Sequence, residues 1–125
     1  MQKKPTDSEL EILQLLWQHG PSSVRDVHTA LSGSRPVVYT TTLKTMQVMA
    51  EKGFLERDTS RRTHLYSAVV KEEHIQANLL DKFVNTVFRG SPLKLAVRAL
   101  GHRQAKQGDL EELKKIIEEL ENKKQ

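Results

Sequence analysis

The chain has 125 residues, 37% of them hydrophobic and only 5% aromatic, which suits one modest core plus a segment whose apolar surface a second chain completes. A formal net charge of +4 permits a polyanionic partner without requiring one. The absence of cysteine excludes disulfides, a zinc-thiolate site, a thiol nucleophile and cysteine redox sensing. No apolar run approaches the roughly 20 residues of a membrane span, so a soluble, cytoplasmic protein without membrane insertion is expected.

The first helix is expected to start at Thr6, which forms a capping box with Glu9, and to end at Gly20-Pro21. Leu10, Leu13, Leu16 and Trp17 recur at helical spacing, and Ile12 and Leu15 widen the apolar surface towards a second side. Ser22 or Ser23 then opens a short helix with Val24, Val27, Ala30 and Leu31 inward, closed by the SGSRP stretch Ser32 to Pro36. A third helix is predicted from near Tyr39 to about Lys52, stopped by Gly53. Leu43, Met46, Met49 and Ala50 supply its inward side.

The opposite face of this third helix carries Thr41, Lys44, Val48 and Glu51, flanked by Thr40 and Thr45. Threonine is a mediocre helix former, because its branched Cβ restricts χ1 and its hydroxyl competes for backbone partners. The threonines and the lysine are therefore read as an outward-facing ligand surface. Next, the segment from Phe54 to Val70 reads as a β-hairpin, with Leu55, Leu65, Tyr66, Val69 and Val70 as strand residues. Its long polar tip, Asp58 to Thr63, carries Arg61 and Arg62.

Basic residues concentrate in this region: Arg35, Lys44, Lys52, Arg57, Arg61 and Arg62 face only Glu51, Glu56 and Asp58. Three helices followed by a basic hairpin predict a mainly α fold with a small β-hairpin, a winged helix-turn-helix DNA-binding domain over residues 1–70. Its third helix suits the major groove, ~12 Å wide. The residues assigned to double-stranded DNA are Thr40, Thr41, Lys44, Thr45 and Val48 on the helix and Arg61 and Arg62 on the hairpin. The rival reading is a winged helix used for protein-protein contact without specific DNA binding.

Residues 71–125 read as a C-terminal helical dimerisation segment. Ile75, Leu79, Phe83 and Val87 recur every four residues from Lys71 to Phe88, and Gly90-Ser91-Pro92 breaks the pattern. A short helix follows through Leu93, Ala96, Val97 and Leu100. After a polar connection, Asp109 with Glu112 is expected to cap a last helix bearing Leu110, Leu113, Ile116, Ile117 and Leu120. Ile75, Leu79, Phe83 and this last stripe are assigned to a homodimer interface, because a linear string of amphipathic helices has few neighbours of its own.

No metalloprotease-type histidine spacing, Gly-rich phosphate loop or nucleophile elbow occurs, so neither catalysis nor a cofactor is expected. The stretches TDSELEILQLLWQHGPSSVRDVHTAL, VYTTTLKTMQVMAEKGFLERD and RRTHLYSAVV resemble the penicillinase-repressor (BlaI/MecI) family. The most specific part runs from Tyr39 to Leu55. That resemblance implies a homodimeric repressor on an inverted-repeat operator, with Thr40, Thr41, Lys44 and Thr45 in the recognition helix and Arg61 and Arg62 in the wing.

The resemblance also implies a membrane sensor protease as a partner of the antibiotic-responsive members, which are cut at an Asn-Phe bond. The corresponding KLAVRAL region here offers Arg98-Ala99 instead, and Val48 stands where relatives commonly carry arginine.

Overall fold

The computed structural model describes residues 4–103 and 105–124. The chain divides into two compact units between Leu79 and Leu80. In the first unit lie α1 (Asp7–His19), α2 (Val24–Ser32), α3 (Tyr39–Glu51), β1 (Leu55–Asp58) and β2 (Leu65–Ala68). The helix α4 (Glu72–Val87) begins there and runs into the second unit, which continues with α5 (Pro92–Arg103) and α6 (Gln107–Lys123).

Local chemistry sets the helix ends. The capping box at α1 is reciprocal: Glu9 donates its amide to Thr6 Oγ1 at 3.1 Å, and the Thr6 amide donates to Glu9 Oε1 at 2.9 Å. At α2 the same device pairs Ser23 with Asp26. The end of α3 is a Schellman-type turn, in which the Gly53 amide donates to Ala50 O and the Phe54 amide to Met49 O. It needs the positive φ of 87° that Gly53 adopts without Cβ strain. The chain thereby leaves α3 directly into β1.

The hairpin is antiparallel, with Leu55 opposite Ala68 and Asp58 opposite Leu65. Ser22 adds an isolated bridge to Tyr66, exchanging backbone hydrogen bonds of 3.0 and 2.8 Å, so the loop before α2 lies on the second strand. Val69 and Val70, expected as strand residues, lie beyond β2. Val69 is exposed, while Val70 is buried and its carbonyl accepts a 2.9 Å hydrogen bond from Trp17 Nε1.

The core of the first unit joins Ile12, Leu13 and Leu16 of α1, Val27 and Leu31 of α2, Met46 and Met49 of α3, and Phe54, Leu55 and Tyr66 from the hairpin region. Ala30, expected inward, is exposed. Ile75, expected at a dimer interface, is a core residue of this unit at 3% exposure, and Leu79 packs partly against the same cluster. The first turns of α4 therefore complete the winged-helix core, and the first compact unit ends at Leu79 rather than at residue 70.

In the second unit α5 starts as expected, with the Lys94 amide donating to Ser91 Oγ at 3.1 Å. The Asp109–Glu112 capping box does not form. The helix α6 already begins at Gln107, with Lys106 at the cap position and no side-chain cap bond. Two residues upstream of Asp109, the chain is already helical, so the carboxylate lies within the first turn, where it favours the helix dipole.

Large apolar side chains remain exposed along this unit: Phe83, Val87, Leu93, Val97, Ile116, Ile117 and Leu120. No helix among the described residues is long and apolar enough to cross a membrane.

Candidate nucleic-acid interface

Two structural features distinguish α3 from its neighbours. Its outer face presents Thr40, Thr41 and Lys44 to solvent, with Thr45 and Val48 half-buried beside them. No side chain caps its N-terminus, where Val38 occupies the cap position, so its first amides lack a side-chain acceptor, and only the Thr41 amide among them turns back to Val38 O, at 3.0 Å. Uncapped amides and a positive macrodipole end favour an anion. The Thr45 hydroxyl donates to Thr41 O at 2.8 Å, which leaves its oxygen able to accept from a base or phosphate-bound water.

The third threonine departs from the outward reading. Thr42 is 2% exposed and turns into the domain, its Oγ1 lying 3.5 Å from His28 Nδ1. His28 in turn meets Tyr39 edge-on, with ring centroids 5.5 Å apart. On a helix of 3.6 residues per turn, Thr42 lies on the same side as Met46 and Met49, which are fully buried. The threonine cluster thus straddles the boundary between core and ligand face.

The hairpin loop carries Arg61 and Arg62 exposed, as expected. Its entry is shaped by Asp58, whose Oδ1 accepts the Ser60 amide at 2.9 Å. Hydrogen bonding from Ser60, with Arg61 and His64 adding attraction, holds the Asp58 carboxyl below the usual carboxylate range. Arg62 also lines a groove of about 410 Å³ together with Arg25, Arg57, His64, Gln47 and Tyr39.

Arg25, Gln47 and Tyr39 were not assigned to this surface by sequence reasoning, and Arg57 was counted only within the basic concentration. Arg25 follows the Ser23 cap by two residues and was recognisable as solvent-facing, whereas Arg57 lies two residues from buried Leu55 on the same strand face and is exposed all the same. Their proximity was not recognisable, because they come from different elements. Among the residues assigned to dimerisation, Phe83, Ile116, Ile117 and Leu120 are exposed and Leu110 and Leu113 half-buried, whereas Ile75 and Leu79 serve the first unit's core.

Comparison with known proteins bears on the family and the fold. The family model described as "Penicillinase repressor" matches residues 5–119. The chain is 33% identical over 75 residues to the transcriptional regulator BlaI of Mycobacterium tuberculosis, covering 59% of this chain and 54% of that protein. It thus spans about half the length of that relative. The penicillinase repressor of Bacillus licheniformis is 27% identical over 130 residues, covering 99% of this chain and 98% of the relative. Among solved structures, the DNA-binding domain of the repressor BlaI superposes with a TM-score of 0.51 at 26% identity, over 58% of this chain and 90% of that domain.

Proposed function

The chain belongs to the penicillinase-repressor family, and on that premise we propose that it is a DNA-binding transcriptional repressor that acts as a homodimer on an inverted-repeat operator. The observation that carries this reading is the exposed, uncapped start of α3, bearing Thr40, Thr41 and Lys44 beside an arginine-bearing hairpin.

The mechanism follows from the chemistry of these groups. The helix α3 enters the major groove with its N-terminal residues nearest the base edges. Threonine hydroxyls donate to or accept from bases and phosphates, their methyls contact thymine, and Lys44 reaches guanine or a phosphate. Arg61 and Arg62 hold the adjacent backbone.

One recognition helix reads one half-site. Pairing two chains through Phe83 and the Leu110–Leu120 stripe makes binding steep in protein concentration, because the second half-site is engaged intramolecularly. Half-sites one helical turn apart, about 34 Å, suit two such domains. Occupation of the operator then excludes the transcription machinery.

The test is a salt series of binding to the promoter duplex upstream of the protein's own gene, with unrelated duplex as competitor. Specific binding that weakens steeply with salt is expected. Equal affinity for promoter and competitor at every salt concentration would count against the repressor reading and favour the protein-contact alternative.

A further inference from the structure

Three arginines from three separate elements line one groove of the first unit: Arg25 from the first turn of α2, Arg57 from β1, and Arg62 from the hairpin loop. No carboxylate lines this groove, and His64 is a further nitrogen-bearing neighbour. The ion pairs among the described residues are Arg35–Glu11 and Lys52–Glu9, so none engages these three arginines. All three are exposed. Gathering like charges in a concave surface focuses a positive potential and repels the groups that make it, an arrangement that an anionic ligand relieves.

We propose that this groove binds one phosphodiester of the DNA backbone, gripped jointly by Arg25, Arg57 and Arg62. The inference rests on the DNA-binding reading above. Its occupant follows from continuity, since Gln47 and Tyr39 of α3 form part of the groove wall, so a duplex lying along the helix brings a strand past it. The guanidinium fork matches a phosphate's paired oxygens, and several forks around one concavity suit an anion with oxygens on every side.

Two of the three arginines stand on regular elements. Arg57 is held by its pairing opposite Tyr66 and Arg25 by the capped start of α2. A phosphate clamped between them fixes the register of α3 along the major groove, while reading no base itself.

The experiment compares the full chain with Arg25→Ala, Arg57→Ala and Arg57→Lys, using fluorescence anisotropy on the promoter duplex and on an unrelated duplex over a range of salt. Each alanine variant is expected to bind both duplexes roughly tenfold more weakly, as for loss of a charged hydrogen bond. Its log–log salt slope should be shallower, by at most about 0.9, because the three arginines share one phosphate. Arg57→Lys is expected to retain the wild-type slope, because the charge remains. Thermal midpoints should be unchanged.

If the wild type binds and the alanine variants keep its slope, the groove assignment falls while the DNA reading stands. Loss confined to the promoter duplex would make these base contacts and overturn it. Affinity lost together with thermal stability would assign the arginines to the fold. A wild type that binds neither duplex removes this inference along with the reading beneath it.

Discussion

Lys52 Nζ donates to Glu9 Oε2 at 2.7 Å, tying the C-cap of α3 to the first turn of α1. The Glu9 side chain is only 4% exposed, against 26% for Lys52, and its other oxygen accepts from the Thr6 amide. One carboxylate therefore closes the N-terminus of α1 and ties down the C-terminal end of α3. Burial alone pushes its pKa up, but the donors from Lys52 and Thr6 outweigh that and hold it below the ordinary 4.5.

A carboxyl held lower in the folded state than in the unfolded one adds stability above the unfolded pKa, and that stability is lost as pH falls through the folded pKa. Lys52→Ala is expected to cost about 1–3 kcal/mol near neutral pH, since it leaves a buried carboxylate without its charged partner. Urea unfolding across acid pH should show the gap between wild type and variant closing below the ordinary carboxylate value. A gap unchanged down to strong acid would contradict the coupling.

Adjacent threonines should behave as opposites. Thr41→Ala is expected to leave the thermal midpoint nearly unchanged while weakening operator binding. Thr42→Asp buries a carboxylate among Met46 and Met49 and should destabilise the domain by about 3 kcal/mol or more. Thermal melts of the two variants, run beside a binding assay, separate the roles.

Along α4 a similar division is expected between Ile75 and Phe83. Ile75→Ala should lower the unfolding free energy of the first unit by about 2–5 kcal/mol, as deletion of a buried side chain does. It should leave self-association unchanged. Phe83→Ala, combined with Ile117→Ala, should shift the monomer–dimer equilibrium towards monomer, as read by sedimentation equilibrium. Weakened association in Ile75→Ala alone would return Ile75 to the interface.

Val48 is half-buried beside Thr41 and Lys44 on the outer side of α3. Val48→Arg extends a cation over the helix edge. The expected outcome is tighter DNA binding at low salt and a slope steeper by about 0.9, the contribution of one added phosphate contact. An anisotropy titration at two salt concentrations is sufficient to check it.

Trp17 offers a probe as well as a test, because its indole donates to Val70 O and thereby joins α1 to the chain leaving β2. Trp17→Phe keeps most of the apolar volume and should cost about 1 kcal/mol through the lost hydrogen bond. Chemical denaturation followed by circular dichroism measures that difference.

The sequence by itself determined the helices, the hairpin and most of their ends. Capping boxes at Thr6 and Ser23, the Gly53 stop and the Ser91-Pro92 start act over three or four residues, and apolar spacing reveals which side of a helix seeks cover. These are short-range effects, legible without knowing the fold. Tertiary structure decided what depends on distant neighbours.

Helical spacing puts Thr42 on the side of Met46 and Met49, but only the packing of α2 sets His28 beside it, and Ile75 joins the core because the first turns of α4 pack on the first unit. Arg25, Arg57 and Arg62 share a groove only because the hairpin folds back beside α2 and α3. Periodicity selects a face, but which neighbour that face meets is set by the packing of the whole domain.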